Sequence, residues 1–148
     1  MTKNILVATD GSDLAGKAVA YATGLAKDLG AKLTVVTVSE SWSPLEIANK
    51  AQAGHFKAIE EFEQHASDIA AKVLKEASDI AQRAGAAAET LHIPDATPAE
   101  GIIQAAAKQG SDLIVMGSHG RRGLSRLVLG SQALEVMSLS KVPVLIFK

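Results

Sequence analysis

The chain has 148 residues, of which 47% are hydrophobic and only 3% aromatic, and its formal net charge is −1. A core built from Ala, Val, Ile and Leu favours helices on a sheet over an aromatic-rich sandwich, and a near-neutral chain has no general attraction for nucleic acid or an anionic membrane. Without cysteine there are no disulfides, no thiolate metal sites and no cysteine nucleophile.

No apolar run reaches the roughly 18 residues of a membrane span, and Met1 to Asp10 enters a strand without the shape of a signal peptide. The expectation is one cytoplasmic domain over residues 1–148, with no membrane or nucleic-acid partner. Asn4 to Thr9 is a short, continuous apolar run, the pattern of a buried parallel strand, and Asp10-Gly11-Ser12 follows as a turn. Ala15, Ala18, Val19, Ala22, Leu25, Ala26 and Leu29 form a helical stripe that Gly30 closes. Leu33 to Val38 is the second strand. Ser43-Pro44-Leu45-Glu46 has the cap, proline and glutamate of a capping box and opens a helical region to Ala84, with a break expected at Gly54. A third strand lies within Ala87 to Ile93. Thr97-Pro98-Ala99-Glu100 repeats the capping signature, and Gly110 ends that helix. Leu113 to Met116 is the fourth strand, Ser131 to Ser140 a last helical pattern, and Val142 to Phe147 the fifth strand.

This alternation predicts an α/β domain with a largely parallel sheet and right-handed crossovers. Pro143, inside the last apolar run, places that strand at a sheet edge. An uncovered edge of sequence V-P-V-L-I-F is an aggregation hazard, and a symmetric partner strand is its simplest cover.

The richest stretch for function runs from Gly117 to Ser131, G-S-H-G-R-R-G-L-S-R-L-V-L-G-S. It joins a strand to a helix, and glycines there let backbone N–H groups approach an anion at the start of the helix. Arg121, Arg122 and Arg126 add three cations. The plain alternative is a surface loop with solvated arginines. Spacing of Gly117, Gly120 and Gly123 is neither the dinucleotide fingerprint nor, without G-K-[ST], a Walker A loop. Gly11 to Lys17 imitates a Walker A motif, but Ala18 stands where the Mg²⁺-binding hydroxyl belongs, so Lys17 is read as solvated.

Gly117, Gly120, Gly130 and Ser131 fit G-x2-G-x9-G-[ST]. With the N-terminal I-L-V-A-T-D-G-S and the C-terminal V-P-V-L-I-F, the chain resembles the ATP-binding branch of the universal stress protein family along essentially its whole length. The resemblance implies a three-layer, Rossmann-like sandwich, akin to the adenine nucleotide alpha hydrolases, with strand order 3-2-1-4-5. Ligands of such sheets settle where the strand order reverses, here between strands one and four. It further implies that Ala8, Thr9 and Asp10 line a nucleoside pocket and that Val38 presents its backbone to adenine. Gly117, Gly120, Gly130 and Ser131 would hold ribose and phosphates, with Met116, His119 and Arg121 nearby. The implied ligand is ATP, or AMP or ADP, with Mg²⁺ able to accompany it, and the implied assembly is a homodimer through Val142 to Phe147. Two positions depart from the family pattern: Gln132 and Ala133 stand where a small or β-branched residue and a hydroxyl are usual. Ala133 has no side-chain donor for a phosphate, while Gln132 offers an amide or fills the space.

Asp10 also has a second reading, as a turn aspartate binding backbone N–H groups near Ser12, and His119 as a solvent-facing loop residue. Trp42 either covers a base or packs over sheet-edge residues. His55, His65, His92 and His119 lack metal-ligand spacing, and no nucleophile elbow or poised general base appears. Three functions stay open: a nucleotide-binding regulatory dimer with little or no turnover, a slow nucleotide hydrolase, and a dimeric interaction protein without nucleotide.

Overall fold

The computed structural model describes residues 1–40, 42–120 and 129–148. Among them the elements run β1 (Asn4–Ala8), α1 (Asp13–Leu29), β2 (Lys32–Ser39), α2 (Pro44–Gln52), α3 (Phe56–Arg83), β3 (Glu89–Pro94), α4 (Pro98–Gln109), β4 (Leu113–Gly117), α5 (Ser131–Leu139) and β5 (Val144–Phe147). The sheet is parallel throughout, in the order β3-β2-β1-β4-β5.

Alternation along β1 explains the layers. Ile5 and Val7 point into one core with Val19, Ala22 and Ala26 of α1 and Leu74 and Ala77 of α3. Leu6 points into the other, with Ala99, Ile102 and Ala105 of α4 and Val136 of α5. Burial of the central strands on both faces accounts for their unbroken apolar runs. Small residues line the helices where they meet the sheet: Ala18, Ala22, Ala99 and Ala105 are fully buried, which lets the layers approach closely.

The helix ends follow the capping chemistry. Ser12 caps α1 through its hydroxyl, which accepts the Ala15 N–H at 3.3 Å, and Gly30 takes the left-handed conformation at φ 63. Ser43 and Glu46 form a reciprocal capping box. Gly54, at φ 77, sits in the break between α2 and α3 where the sequence predicts one. An αL residue commonly follows a helix C-terminus, and glycine adopts it without a Cβ penalty. Pro143 is corrected by one position: β5 is an edge strand, but it starts at Val144, and Pro143 precedes it while its carbonyl accepts the Ile114 N–H at 3.0 Å.

Candidate functional site: a crevice beyond β1 and β4

Beyond β1 the chain goes to β2 on one side, and beyond β4 it goes to β5 on the other. The divergence leaves a crevice at the carboxyl ends of the two strands, the usual ligand position in such sheets. Two loops meet there. The Asp10 carboxylate lies over Gly120: a Cβ built on Gly120 would stand 2.7 Å from Asp10 Oδ2. Residues 110 positions apart in sequence are therefore in van der Waals contact.

Asp10 is exposed, and its Oδ1 accepts the Ser12 N–H at 2.9 Å. It is the turn aspartate of its second reading and also a crevice residue. Thr9 is buried; its Oγ1 accepts the Gly11 N–H at 3.1 Å, and its own N–H donates to the Val36 carbonyl at 2.9 Å. Ala8 and Met116 pack against the α4–α5 core, so what Met116 offers the crevice is backbone.

Val38 reaches the crevice by strand geometry. The last β1–β2 register pair is Ala8 with Val36, and β2 runs on to Ser39. The Val36 carbonyl points toward β1, where it accepts from Thr9. Backbone directions repeat every two residues along a strand, so the Val38 N–H and C=O point to the same side, past the end of β1. One donor and one acceptor thus face the space above β1.

The two helix N-termini at the crevice differ. At α1 the Ser12 hydroxyl fills the opening turn and Asp13 adds a negative charge, which makes it a poor place for an anion. Lys17 on that helix is exposed, as the missing hydroxyl of the imitation motif predicts. At α5 the cap is Gly130, which has no side chain to occupy the opening turn, and the first intrahelical bond runs from Leu134 N–H to the Gly130 carbonyl at 3.0 Å. The N–H groups of Ser131, Gln132 and Ala133 precede that bond, and helix geometry gives them no partner within the helix. An anion at this end meets three N–H groups and the positive end of the helix dipole.

Two of the glycines have packing reasons of their own, beside the expected clearance for phosphate. A Cβ on Gly130 would meet the Ser118 carbonyl at 3.0 Å and the His119 Cα at 3.3 Å. Gly130 N–H donates to that same carbonyl at 2.7 Å. Gly130 therefore closes the loop at its base, where its two ends touch. A Cβ on Gly117 would press on Leu14 at 3.3 Å. His119 is half-buried, with Nδ1 3.1 Å from the Ser118 hydroxyl. Arg121, Arg122, Gly123 and Arg126 lie outside the described residues.

The two departures from the family pattern have definite places. Ala133 is buried in the α4–α5 core, so only its backbone N–H faces outward at the turn. The side-chain carbonyl of Gln132 accepts the Ala99 N–H at 3.0 Å, capping α4 from α5. With its oxygen engaged there, the Gln132 amide has only its NH₂ donors left for a ligand.

Asp10, His119, Gly120 and Gly130 come together at the crevice, whereas Ala8, Met116 and Ala133 turn their side chains to the core and Gln132 turns its own to α4. Sequence reasoning passed over Ser118, Leu14 and Gly101. Gly101 had a visible signal: glycine inside a helix costs about 1 kcal/mol relative to alanine, so its presence asks for a packing reason. Trp42 packs on a helix, which neither of its two readings named. It stacks on Phe62 of α3 at 4.5 Å between ring centroids, beneath Lys50 of α2. Among the described residues, no group of three or more His, Cys, Asp or Glu could hold a metal ion, and no helix is long and apolar enough to cross a membrane.

The model of the universal stress protein family matches residues 1–148. The chain belongs to that family. Universal stress protein YxiE of Bacillus subtilis is 34% identical to it, with all of both chains covered. A solved universal stress protein from Archaeoglobus fulgidus superposes with a TM-score of 0.75 at 22% identity, covering 100% of this chain and 95% of the other. A universal stress protein solved in complex with cAMP is 27% identical, with a TM-score of 0.65 over 98% of this chain and 95% of its own. The family fold is the five-stranded parallel sheet described above.

Proposed function

We propose that this universal stress protein is a cytoplasmic, homodimeric nucleotide-binding module that holds ATP, or its hydrolysis products ADP and AMP, with little or no turnover. The observation that carries the reading is the meeting of Asp10 with Gly120 beside the side-chain-free N-terminus of α5. A nucleotide needs an apolar slot with polar edges for its base, an acceptor for its ribose and a cluster of donors for its phosphates. Val38 supplies a backbone donor and acceptor pair for adenine, and Asp10 an acceptor for ribose hydroxyls. Ser131, Gln132 and Ala133 supply N–H groups for phosphate, with Arg121 as a further cation. Asp10 is the carboxylate that meets the phosphate loop, at Gly120, so a Mg²⁺ ion would be held mainly by phosphate oxygens and water. The related protein that binds cAMP supports the same ligand class.

Among the described crevice residues Asp10 binds its own turn and His119 pairs with Ser118, which supports the reading without turnover. Titration with ATP and AMP, with chromatography of acid-extracted protein, is the test, and micromolar affinity, about −8 kcal/mol, is expected. No bound nucleotide and no binding up to about 1 mM ATP would leave a dimeric interaction protein. Phosphate release from Mg²⁺-ATP should stay well below about 1 s⁻¹, the low end of ordinary enzymes. Faster turnover, removed by a substitution that spares affinity, would make the protein a hydrolase.

A further inference from the structure

We infer that Gly101, in the first turns of α4, is the positioning residue that holds Val38 in register with the base, and so sets the selectivity for adenine over guanine; this rests on the nucleotide reading above. Gly101 lies directly on Val38. A Cβ added to it would stand 2.6 Å from both γ-carbons of Val38 and 3.2 Å from its Cβ. Real Cβ atoms essentially never approach so closely, and the neighbour is the stiff, branched root of a side chain rather than a flexible tip. A methyl at 101 must therefore displace either α4 or the end of β2.

α4 is the harder of the two to move. Ala99 and Ile102, on either side of Gly101, are buried in the core. The Ala99 N–H is tied to Gln132 of α5 at 3.0 Å, and Thr97 caps the same turn through the Glu100 N–H. The end of β2 is tied on one side only: Val38, the last residue but one of its strand, pairs with Ile93 of β3 but has no β1 residue opposite it in the register. The displacement falls on Val38 and carries its N–H and C=O with it.

Those two groups decide which base fits. Adenine presents a ring-nitrogen acceptor next to an amino donor along its pairing edge, and guanine presents a ring N–H donor next to a carbonyl acceptor. A fixed N–H and C=O pair satisfies the first arrangement and opposes the second. Holding the pair in place preserves discrimination; shifting it loses hydrogen bonds to adenine and relaxes the rejection of guanine.

The experiment measures Kd for ATP and GTP, with melting temperature and binding stoichiometry, on wild type, Gly101→Ala and the size-swapped Val38→Ala/Gly101→Ala. Wild type should favour ATP. Gly101→Ala should weaken ATP by about tenfold or more and shrink the GTP-to-ATP ratio of Kd, and the size swap should restore both to within about threefold of wild type. A merely structural defect lowers the melting temperature or the fraction of active protein without changing the ratio. If Gly101→Ala does not fold, the size-swapped protein decides: restored selectivity supports the role, and a folded double variant without selectivity overturns it. Gly101→Ala with unchanged affinity and ratio also overturns it, while a wild type that binds no nucleotide overturns the nucleotide reading itself.

Discussion

Gly120 and Gly130 both lack a Cβ for a reason, but their neighbours differ. At Gly120 the obstacle is the end of the Asp10 side chain, at 2.7 Å, which can rotate away. At Gly130 it is the Ser118 carbonyl, at 3.0 Å, and the His119 Cα, at 3.3 Å, both part of the main chain. Gly120→Ala should leave the fold intact and lower ATP affinity by moving Asp10. In an Asp10→Ala background the same change should have no further effect, a coupling that a double-mutant cycle by titration calorimetry measures. Gly130→Ala should instead cost stability, about 1–3 kcal/mol as an overpacked contact, visible in urea unfolding whether or not nucleotide is present. Loss of ATP binding with unchanged stability in Gly130→Ala would show that its clearance serves the ligand rather than the loop base.

At the scale of the element, α2 contrasts with the other helices: it has no buried residue, so packing contributes little to its stability. What holds it is local: the capping box of Ser43 and Glu46, and Lys50 over Trp42. The Ser43 backbone N–H, then the Ser43 hydroxyl, then Lys50 stabilise the charged Glu46 carboxylate and hold its pKa below the ordinary value of 4.5. A depressed folded pKa means the contribution is complete above the unfolded value and lost as pH falls through the folded one. Trp42, the one tryptophan of the chain, stacks on Phe62 next to this helix and reports on it. Its fluorescence and the amide-exchange protection of α2 should both fall as pH drops below 4.5. Glu46→Gln, which keeps an acceptor without a titrating charge, should flatten that dependence. An unchanged pH profile in Glu46→Gln would assign the fraying to another group.

For the whole molecule, the question is what covers the β5 edge. The carbonyls of Pro143 and Phe147 point toward β4, where they accept from Ile114 and Ser118. By the same alternation, the backbone groups of Val144 and Ile146 point outward. Tyr21, whose ring lies 5.6 Å from that of Phe147, and Leu134 and Met137 of α5 are exposed apolar residues on the helices that pack beside β5. An isologous strand pair across a two-fold axis would bury this rim and satisfy the outward groups. Ile146→Pro removes one outward N–H and spares the ladder to β4. It should give a folded monomer by light scattering with unchanged circular dichroism. Lysine at 146 is a poorer probe, because the Ile146 side chain is half-buried against the α4–α5 core. A wild type that stays monomeric at roughly tens of micromolar, an ordinary working range for a specific dimer, would overturn the pairing.

Local chemistry made most of the fold legible in advance. Apolar runs, capping residues and the glycines at 30, 54 and 110 mark the elements because they act within a few residues of themselves, and the strand ends shift by only one or two positions. The loop motif and Asp10 pointed to one place because the implied strand order sets β1 beside β4, and that order is the one observed. Tertiary structure decided what depends on contacts between distant segments. It gave Gly130 a packing reason at the base of the loop, because the Ser118 carbonyl lies 3.0 Å from where a Cβ would be. It assigned the Gln132 carbonyl to α4, 33 residues away, and left Ala133 facing the core. Gly101 against Val38 belongs to the same class: no local pattern records which side chain will lie across a helix, because only the packing of α4 on β2 brings the two together.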